Sequence, residues 1–113
     1  MTKALGNWGE QKAAEWLRLH GYEIVGMNYR SKWGEIDIVA KDRDCLVVVE
    51  VKTRSGSGYG EPAEAVTKAK LAKLSRTAWQ LMMEWGVEVP VRFEVAEVSR
   101  SGTVRLITDI EIT

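Results

Sequence analysis

The sequence contains few of the residues that form disulfides or bind metal ions in small extracellular domains. Its 113 residues include one cysteine, Cys45, one histidine, His20, and two prolines. A single thiol cannot form an intrachain disulfide, and one histidine with one cysteine does not make a zinc site of the usual four-ligand type. We therefore expect a fold held by a hydrophobic core, for which this length suffices.

Long hydrophobic runs are also missing. The longest apolar run covers residues 46–49, far short of the roughly 20 residues that cross a bilayer. The sequence enters a helical pattern directly, without the features of a secretory signal. These absences predict a cytoplasmic protein that does not contact a membrane.

The chain also has no formal net charge. Sixteen basic residues balance sixteen acidic ones, so no field of the whole protein attracts nucleic acid. The distribution is less even, because residues 52–76 hold six basic and two acidic residues. Such a run is compatible with a polyanionic partner, although a solvated helix face would give the same composition.

Hydrophobic periodicity predicts two helices and five strands. Apolar spacing indicates helices over residues 2–20 and from Pro62 to about Trp85, with Gly86 ending the second. The strands are expected at residues 22–29, 34–40, 45–52, 91–98 and 104–110. The order αβββαββ, without a repeat or linker, predicts a single domain over residues 1–113, in which helices flank a mixed sheet.

Two neighbouring strands of the predicted hairpin bring acidic residues together. Alternation places Glu35, Asp37 and Val39 on one face of the first strand, and Glu50 and Lys52 on one face of the second. Two turn geometries are compatible with this pattern, and they put Asp37 either diagonal to Glu50 or directly opposite it. The Cβ atoms are then roughly 5–8 Å apart. Like charges at that distance repel, and a divalent cation with oxygen ligands, Mg²⁺ or Mn²⁺, would resolve the repulsion.

Three further residues extend this prediction. The carbonyl of Val51 is a candidate ligand, since it lies between Glu50 and Lys52. The Lys52 ammonium would stabilise negative charge on a phosphoryl oxygen. The alternative is a surface ion pair between Lys52 and a nearby acidic residue. Glu10 lies on the apolar face of the first helix and therefore needs a partner, either a metal or its water. The alternative for Glu10 is a partly exposed position near the helix start.

Two motifs resemble a known family. GEIDIVA at residues 34–40, followed by VVVEVKTR at 47–54, is similar to the YraN family of small bacterial predicted endonucleases. The segments at 6–25, 61–74 and 92–95 agree in the same order, so the resemblance covers nearly the whole chain. That family is itself similar to archaeal Holliday junction resolvases, within the PD-(D/E)xK nuclease superfamily.

The resemblance implies a fold, an activity and a set of site residues. The fold would be the three-layer restriction-endonuclease-like fold. The activity would be metal-dependent hydrolysis of DNA phosphodiesters, with branched or flapped DNA as candidate substrates. Asp37 would be the motif aspartate, Glu50 and Lys52 the (D/E)xK pair, and Glu10 the acid of the first helix. Ile36 stands where the superfamily name has proline.

DNA is the expected partner, and two other functions remain open. The candidate phosphate contacts are Arg30, Arg54, Lys68 and Lys70. One alternative is a nucleic-acid-binding domain without turnover, and the other is a protein-interaction module, which the zero net charge favours. A homodimer that pools two basic faces would strengthen DNA binding, although no residue pattern requires one.

Overall fold

A computed structural model describes residues 3–53, 65–108 and 111–112 of the chain. Within these ranges it contains two helices and seven strands. In chain order they are α1 Lys3–Leu19, β1 Glu23–Ser31, β2 Gly34–Asp42, β3 Cys45–Thr53, β4 Ala65–Val66, α2 Lys68–Trp85, β5 Val91–Val98, β6 Val104–Ile107 and β7 Glu111–Ile112.

Five of the strands form one mixed sheet in the order β1-β2-β3-β5-β6. β3 and β5 run parallel, while the other neighbours are antiparallel. β4 and β7 form a separate parallel pair. The predicted mixed α/β architecture is therefore confirmed, with two short strands that the sequence pattern did not indicate.

The helices pack on opposite faces of the sheet. On one face, α1 contributes Ala13, Ala14 and Leu17 to a buried cluster with Val47 and Val49 of β3. On the other, Ala78 and Leu81 of α2 pack with the intervening residue of β3, Val48. Successive strand residues point to opposite faces, so β3 is buried on both sides, as its continuous β-branched sequence indicates. Neither described helix combines the length and hydropathy needed to cross a bilayer.

The second helix begins later than predicted. Residues 65–66 form β4, so the predicted start near Pro62 is wrong, and Pro62 itself lies outside the described residues. Thr67 caps the helix, because its side chain accepts a hydrogen bond from the Lys70 backbone N–H at 3.1 Å. Gly86 ends the helix with a left-handed φ of 66°, as predicted.

Two tryptophans that occupy core spacing on α2 are exposed instead. Trp79 and Trp85 keep 58% and 44% of their surface accessible, although their spacing predicts packing. The helix directs Thr77, Ala78 and Leu81 at the sheet, which leaves the neighbouring positions outside the contact. A helix of this length can bury only one stripe of side chains.

One buried charge is held by a polar network on the α1 side of the sheet. Glu94 of β5 is 1% exposed, and its carboxylate accepts hydrogen bonds from Arg92 Nε at 2.7 Å and the Tyr22 hydroxyl at 3.1 Å. Arg92 also donates to Asp42 at 2.9 Å. The network connects β5 with the end of β2 and with the segment that follows α1. A buried carboxylate is tolerated only with such partners.

Candidate metal centre

The candidate site lies where β2 and β3 stop pairing. Their turn is formed by Arg43 and Asp44, and the register pairs Ile38 with Val49. Continued by one residue, this register places Asp37 opposite Glu50, the second of the two arrangements considered from the sequence. The backbone ladder, however, ends at Ile38 and Val49.

β2 also departs from strict alternation at this point. Ile38 packs in the core cluster on the α1 side, whereas Ile36, two residues away, packs in the cluster on the α2 side. The prediction that both isoleucines share a face is therefore wrong. Across from Asp37 on β1 lies Asn28, whose φ of 54° is left-handed. The change of face on β2 therefore lies beside an irregular backbone conformation on β1.

The Asp37 carboxylate replaces a backbone acceptor. Its Oδ2 accepts a hydrogen bond from the Val51 backbone N–H at 2.8 Å, a donor that the ladder no longer pairs with β2. The N–H and C=O of one strand residue point to the same neighbour, so the Val51 carbonyl faces the same gap. Asp37 is thus held at the fork between the two strands, beside the backbone of the E-V-K segment.

Two further carboxylates join Asp37 at the fork. Glu10 comes from α1 and Glu35 from β2, and one oxygen of each of the three carboxylates lies within 4.8 Å of the others. Glu10 and Asp37 are partly buried, whereas Glu35 is exposed. Glu35 also pairs with Arg30, whose Nε lies 3.0 Å from Glu35 Oε2. The cluster therefore lies between α1 and the end of β2.

The electrostatics of the cluster act on Asp37. Burial is the largest influence and raises the pKa of this carboxyl from 3.8 to about 6, even though the hydrogen bond from Val51 opposes the rise. The neighbouring carboxylates of Glu10, Glu50 and Glu35 raise it further, in that order of effect. The ionised cluster therefore carries repulsion that its own hydrogen bonds do not cancel.

Glu50 lies beside this cluster and has a lysine partner. Its carboxylate pairs with the Nζ of Lys70, from the first turn of α2. Its charge still contributes to the raised pKa of Asp37. Lys52 follows two residues later on the same strand and lies next to Glu97 in the β3–β5 register. An α2 lysine thus holds Glu50, a pairing that strand alternation alone does not indicate.

The donor set suits a hard divalent cation. All three clustered groups are carboxylates, and Mg²⁺, Mn²⁺ and Ca²⁺ prefer such oxygen ligands. Oxygens within 4.8 Å of one another match the span across a cation whose metal–oxygen distances are roughly 2.0–2.6 Å. Burial and, to a smaller extent, the neighbouring carboxylates raise the pKa of Asp37, and a bound cation would stabilise its charged form.

The structure gathers part of the predicted site and adds one residue. It brings Glu10 to Asp37, places Val51 in contact with Asp37, and keeps Glu50 close enough to affect its pKa. The added residue is Glu35, two positions before Asp37 in the GEID segment. That spacing was the available signal, but a start-of-strand glutamate is too common to stand out without the contact to α1.

The predicted phosphate contacts lie on both sides of the site. Arg30 is 80% exposed at the end of β1, while Lys68 and Lys70 occupy the first turn of α2. Arg54 lies outside the described residues. Lys32 is also on the β1 side, and its Nζ lies 4.9 Å from the centroid of the Trp33 ring. The acidic cluster is therefore flanked by cationic groups from two elements.

Comparison with known proteins establishes the family. The profile of the uncharacterised protein family UPF0102 matches residues 9–98. A UPF0102 protein of Symbiobacterium thermophilum is 48% identical, over 94% of this chain and 91% of its own length. A second, of Beutenbergia cavernae, is 44% identical over 91% of this chain and 90% of its own. The chain therefore belongs to the UPF0102 family, the YraN family to which the sequence motifs point.

Proposed function

We propose that this protein is a divalent-metal-dependent endodeoxyribonuclease of the restriction-endonuclease-like fold. The observation that carries the proposal is the meeting of Glu10, Glu35 and Asp37 at a strand fork, beside the Glu50–Lys52 segment. A purely structural role gives no reason for several carboxylates to converge where burial, followed by the neighbouring charges, raises the pKa of one of them to about 6. The order of motifs and the α-sheet-α layering agree with the nuclease superfamily that the sequence resembles.

The chain's own residues divide into three tasks. Asp37 and Glu10 would hold the cation, with Glu35, Glu50 and the Val51 carbonyl as further oxygen donors around it. When bound, a divalent cation acts as a Lewis acid on a phosphoryl oxygen. Outside this ligand set, Lys52 would balance developing negative charge on the phosphoryl group. The Val51 N–H fixes Asp37 through their 2.8 Å hydrogen bond.

Binding of DNA would use the cationic groups on either side of the acids. Lys68 lies at the start of α2 and Arg30 at the end of β1. A DNA backbone that crosses the acidic cluster would therefore meet a cationic side chain on either side of the cluster. Phosphate contacts of this kind supply affinity without sequence preference. The zero net charge of the chain makes these local groups decisive for affinity.

A cleavage assay tests the proposal. Purified protein is incubated with Mn²⁺ and with linear, flapped and four-way DNA, and products are separated on denaturing gels. Wild type should cleave at least one substrate, and Asp37→Asn, Glu50→Gln and Lys52→Ala should reduce the rate by at least about a hundredfold. Glu15→Gln is the matched control, because Glu15 is an exposed α1 carboxylate outside the cluster. Full activity of a folded Asp37→Asn variant, or of wild type in excess EDTA, would contradict the proposal.

One observation favours a second candidate. The Lys70 ammonium pairs with Glu50 and so competes with a cation for this carboxylate, which would favour a nucleic-acid-binding domain that does not turn over. This alternative predicts DNA binding by wild type without cleavage in Mn²⁺, and binding that Glu50→Gln leaves unchanged. Electrophoretic mobility shifts, measured beside the cleavage assay on the same substrates, separate the two candidates.

A further inference from the structure

α1 approaches β3 closely at Gly9, the residue before Glu10. Gly9 is buried, and its Cα faces Thr53 at the end of β3. A Cβ built on Gly9 would lie 2.2 Å from Thr53 Oγ1, where ordinary contacts begin at 3.4 Å. A larger residue fits this contact only if the Thr53 hydroxyl rotates away or the helix and the strand move apart.

The same contact leaves a hydroxyl without a partner. Thr53 Oγ1 is buried and has no hydrogen-bond partner among the described residues. A buried hydroxyl without a partner destabilises a fold, and so does a glycine inside a helix. Two unfavourable features therefore coincide at one point of the α1–β3 interface, which calls for an explanation beyond packing.

We propose that the Gly9–Thr53 contact is a positioning device that sets Glu10 at the distance at which it joins Asp37. This inference rests on the proposed function of the acidic cluster. Neither residue belongs to the ligand set, since Gly9 has no side chain and the Thr53 hydroxyl meets α1. Their role is to let the helix backbone approach β3, so that the following residue reaches the strand fork.

The geometry shows why the approach must be close. With the Thr53 hydroxyl in its present rotamer, an added methyl group at residue 9 would have to move by about 1.2 Å to reach an ordinary contact with Thr53 Oγ1. Metal–ligand distances tolerate deviations of only about 0.2 Å. A movement of α1 by even part of that distance would carry the Glu10 carboxylate away from the oxygens of Glu35 and Asp37, which it now approaches within 4.8 Å.

The test measures Mn²⁺ binding by isothermal titration calorimetry in wild type, Gly9→Ala, Glu10→Gln and the Gly9→Ala/Glu10→Gln double variant. Gly9→Ala should weaken binding by roughly 10–100-fold, the usual loss when a residue that orients a ligand is changed. In a Glu10→Gln background the same change should produce no further loss, because the positioned ligand is already absent. A merely structural effect of Gly9→Ala would instead weaken binding equally in both backgrounds.

A second-site substitution tests the contact itself. Thr53→Ala removes Oγ1, after which the added methyl group would meet only the Thr53 Cβ position, at 3.4 Å. The Gly9→Ala/Thr53→Ala double variant should therefore bind Mn²⁺ as Thr53→Ala alone does. Melting temperatures give an independent readout, since alanine in place of a helical glycine normally stabilises. Here Gly9→Ala should lower the melting temperature of wild type and raise that of Thr53→Ala.

The outcomes separate this inference from the proposed function. If wild type binds no Mn²⁺, the metal site and its positioning device are both wrong. If wild type binds Mn²⁺ and folded Gly9→Ala binds it equally well, the metal site stands and the positioning role is wrong. Should Gly9→Ala fail to fold, the double variant decides, and weaker binding than that of Thr53→Ala would overturn the inference.

Discussion

Replacing Asp37 by asparagine should make the metal-free protein more stable at neutral pH. Asparagine keeps an oxygen that can accept the hydrogen bond from the Val51 N–H, but it removes a negative charge from a partly buried cluster. Above pH 7 the wild-type carboxyl is ionised in both the folded and the unfolded protein. In that range folding must bury the charge and bring it to the other carboxylates.

The size of the effect follows from the pKa of Asp37. In the folded protein it is about 6, against an ordinary value of 3.8, so the folded state binds the proton more tightly. At about 1.4 kcal/mol per pKa unit this corresponds to at most about 3 kcal/mol of destabilisation above pH 7. The penalty shrinks as pH falls through 6 and disappears below about 4, where both states are protonated. Allowing for residual solvent around the carboxyl, we expect about 2 kcal/mol, or about 8 °C in melting temperature.

The assay is thermal unfolding in EDTA at several pH values from 4 to 8. The melting temperature of Asp37→Asn should exceed that of wild type by the largest amount near pH 7.5, and the two should converge toward pH 4. Glu15→Gln, an exposed change on α1, should differ from wild type by less than about 0.5 kcal/mol throughout. A lower melting temperature for Asp37→Asn at pH 7.5, or a difference that does not change with pH, would refute the argument and indicate a structural ion pair instead.

Two further substitutions test other contacts. Lys70→Gln should strengthen Mn²⁺ binding in calorimetry, because the ammonium that pairs with Glu50 no longer competes with the cation. Lys68→Gln, from the same turn of α2, should leave that affinity unchanged, and equal affinities in all three proteins would disprove the competition. Arg92→Ala should lower the free energy of unfolding in urea by about 3 kcal/mol, since it removes a partner from the buried Glu94 carboxylate. A loss below about 1 kcal/mol would show that the remaining partners suffice.

The sheet could be predicted from the sequence because its strands follow simple rules. The β-branched run of β3 is buried on both faces, and Val91–Val98 has the bounds expected from its pattern. Gly86 ends α2 because a left-handed residue was needed and only glycine adopts that conformation without strain. These features depend on local hydrophobic periodicity and on the conformational preference of single residues, and both can be read from the sequence.

What could not be predicted depends on contacts between distant elements. The start of α2 at Lys68 follows from the pairing of β4 with β7, which lie some 45 residues apart. The partnership of Glu50 with Lys70 depends on how α2 crosses the sheet. Alternation already places Glu35 on one face with Asp37, but the meeting of both carboxylates with Glu10 depends on how α1 packs against the end of β2, which no periodicity rule encodes.

Three departures from regular structure lie at the end of β2 and β3 where the pairing of the two strands stops. Away from the fork, β3 and β5 pair over eight consecutive residues without interruption. At the fork are the left-handed Asn28, the raised pKa of Asp37 and the partnerless hydroxyl of Thr53. Each of these lowers stability, and each arises from a different physical cause: backbone conformation, charge burial and an unmade hydrogen bond. The proposed metal site would account for their meeting in one place, because a site that holds carboxylates together tolerates local strain and charge burial.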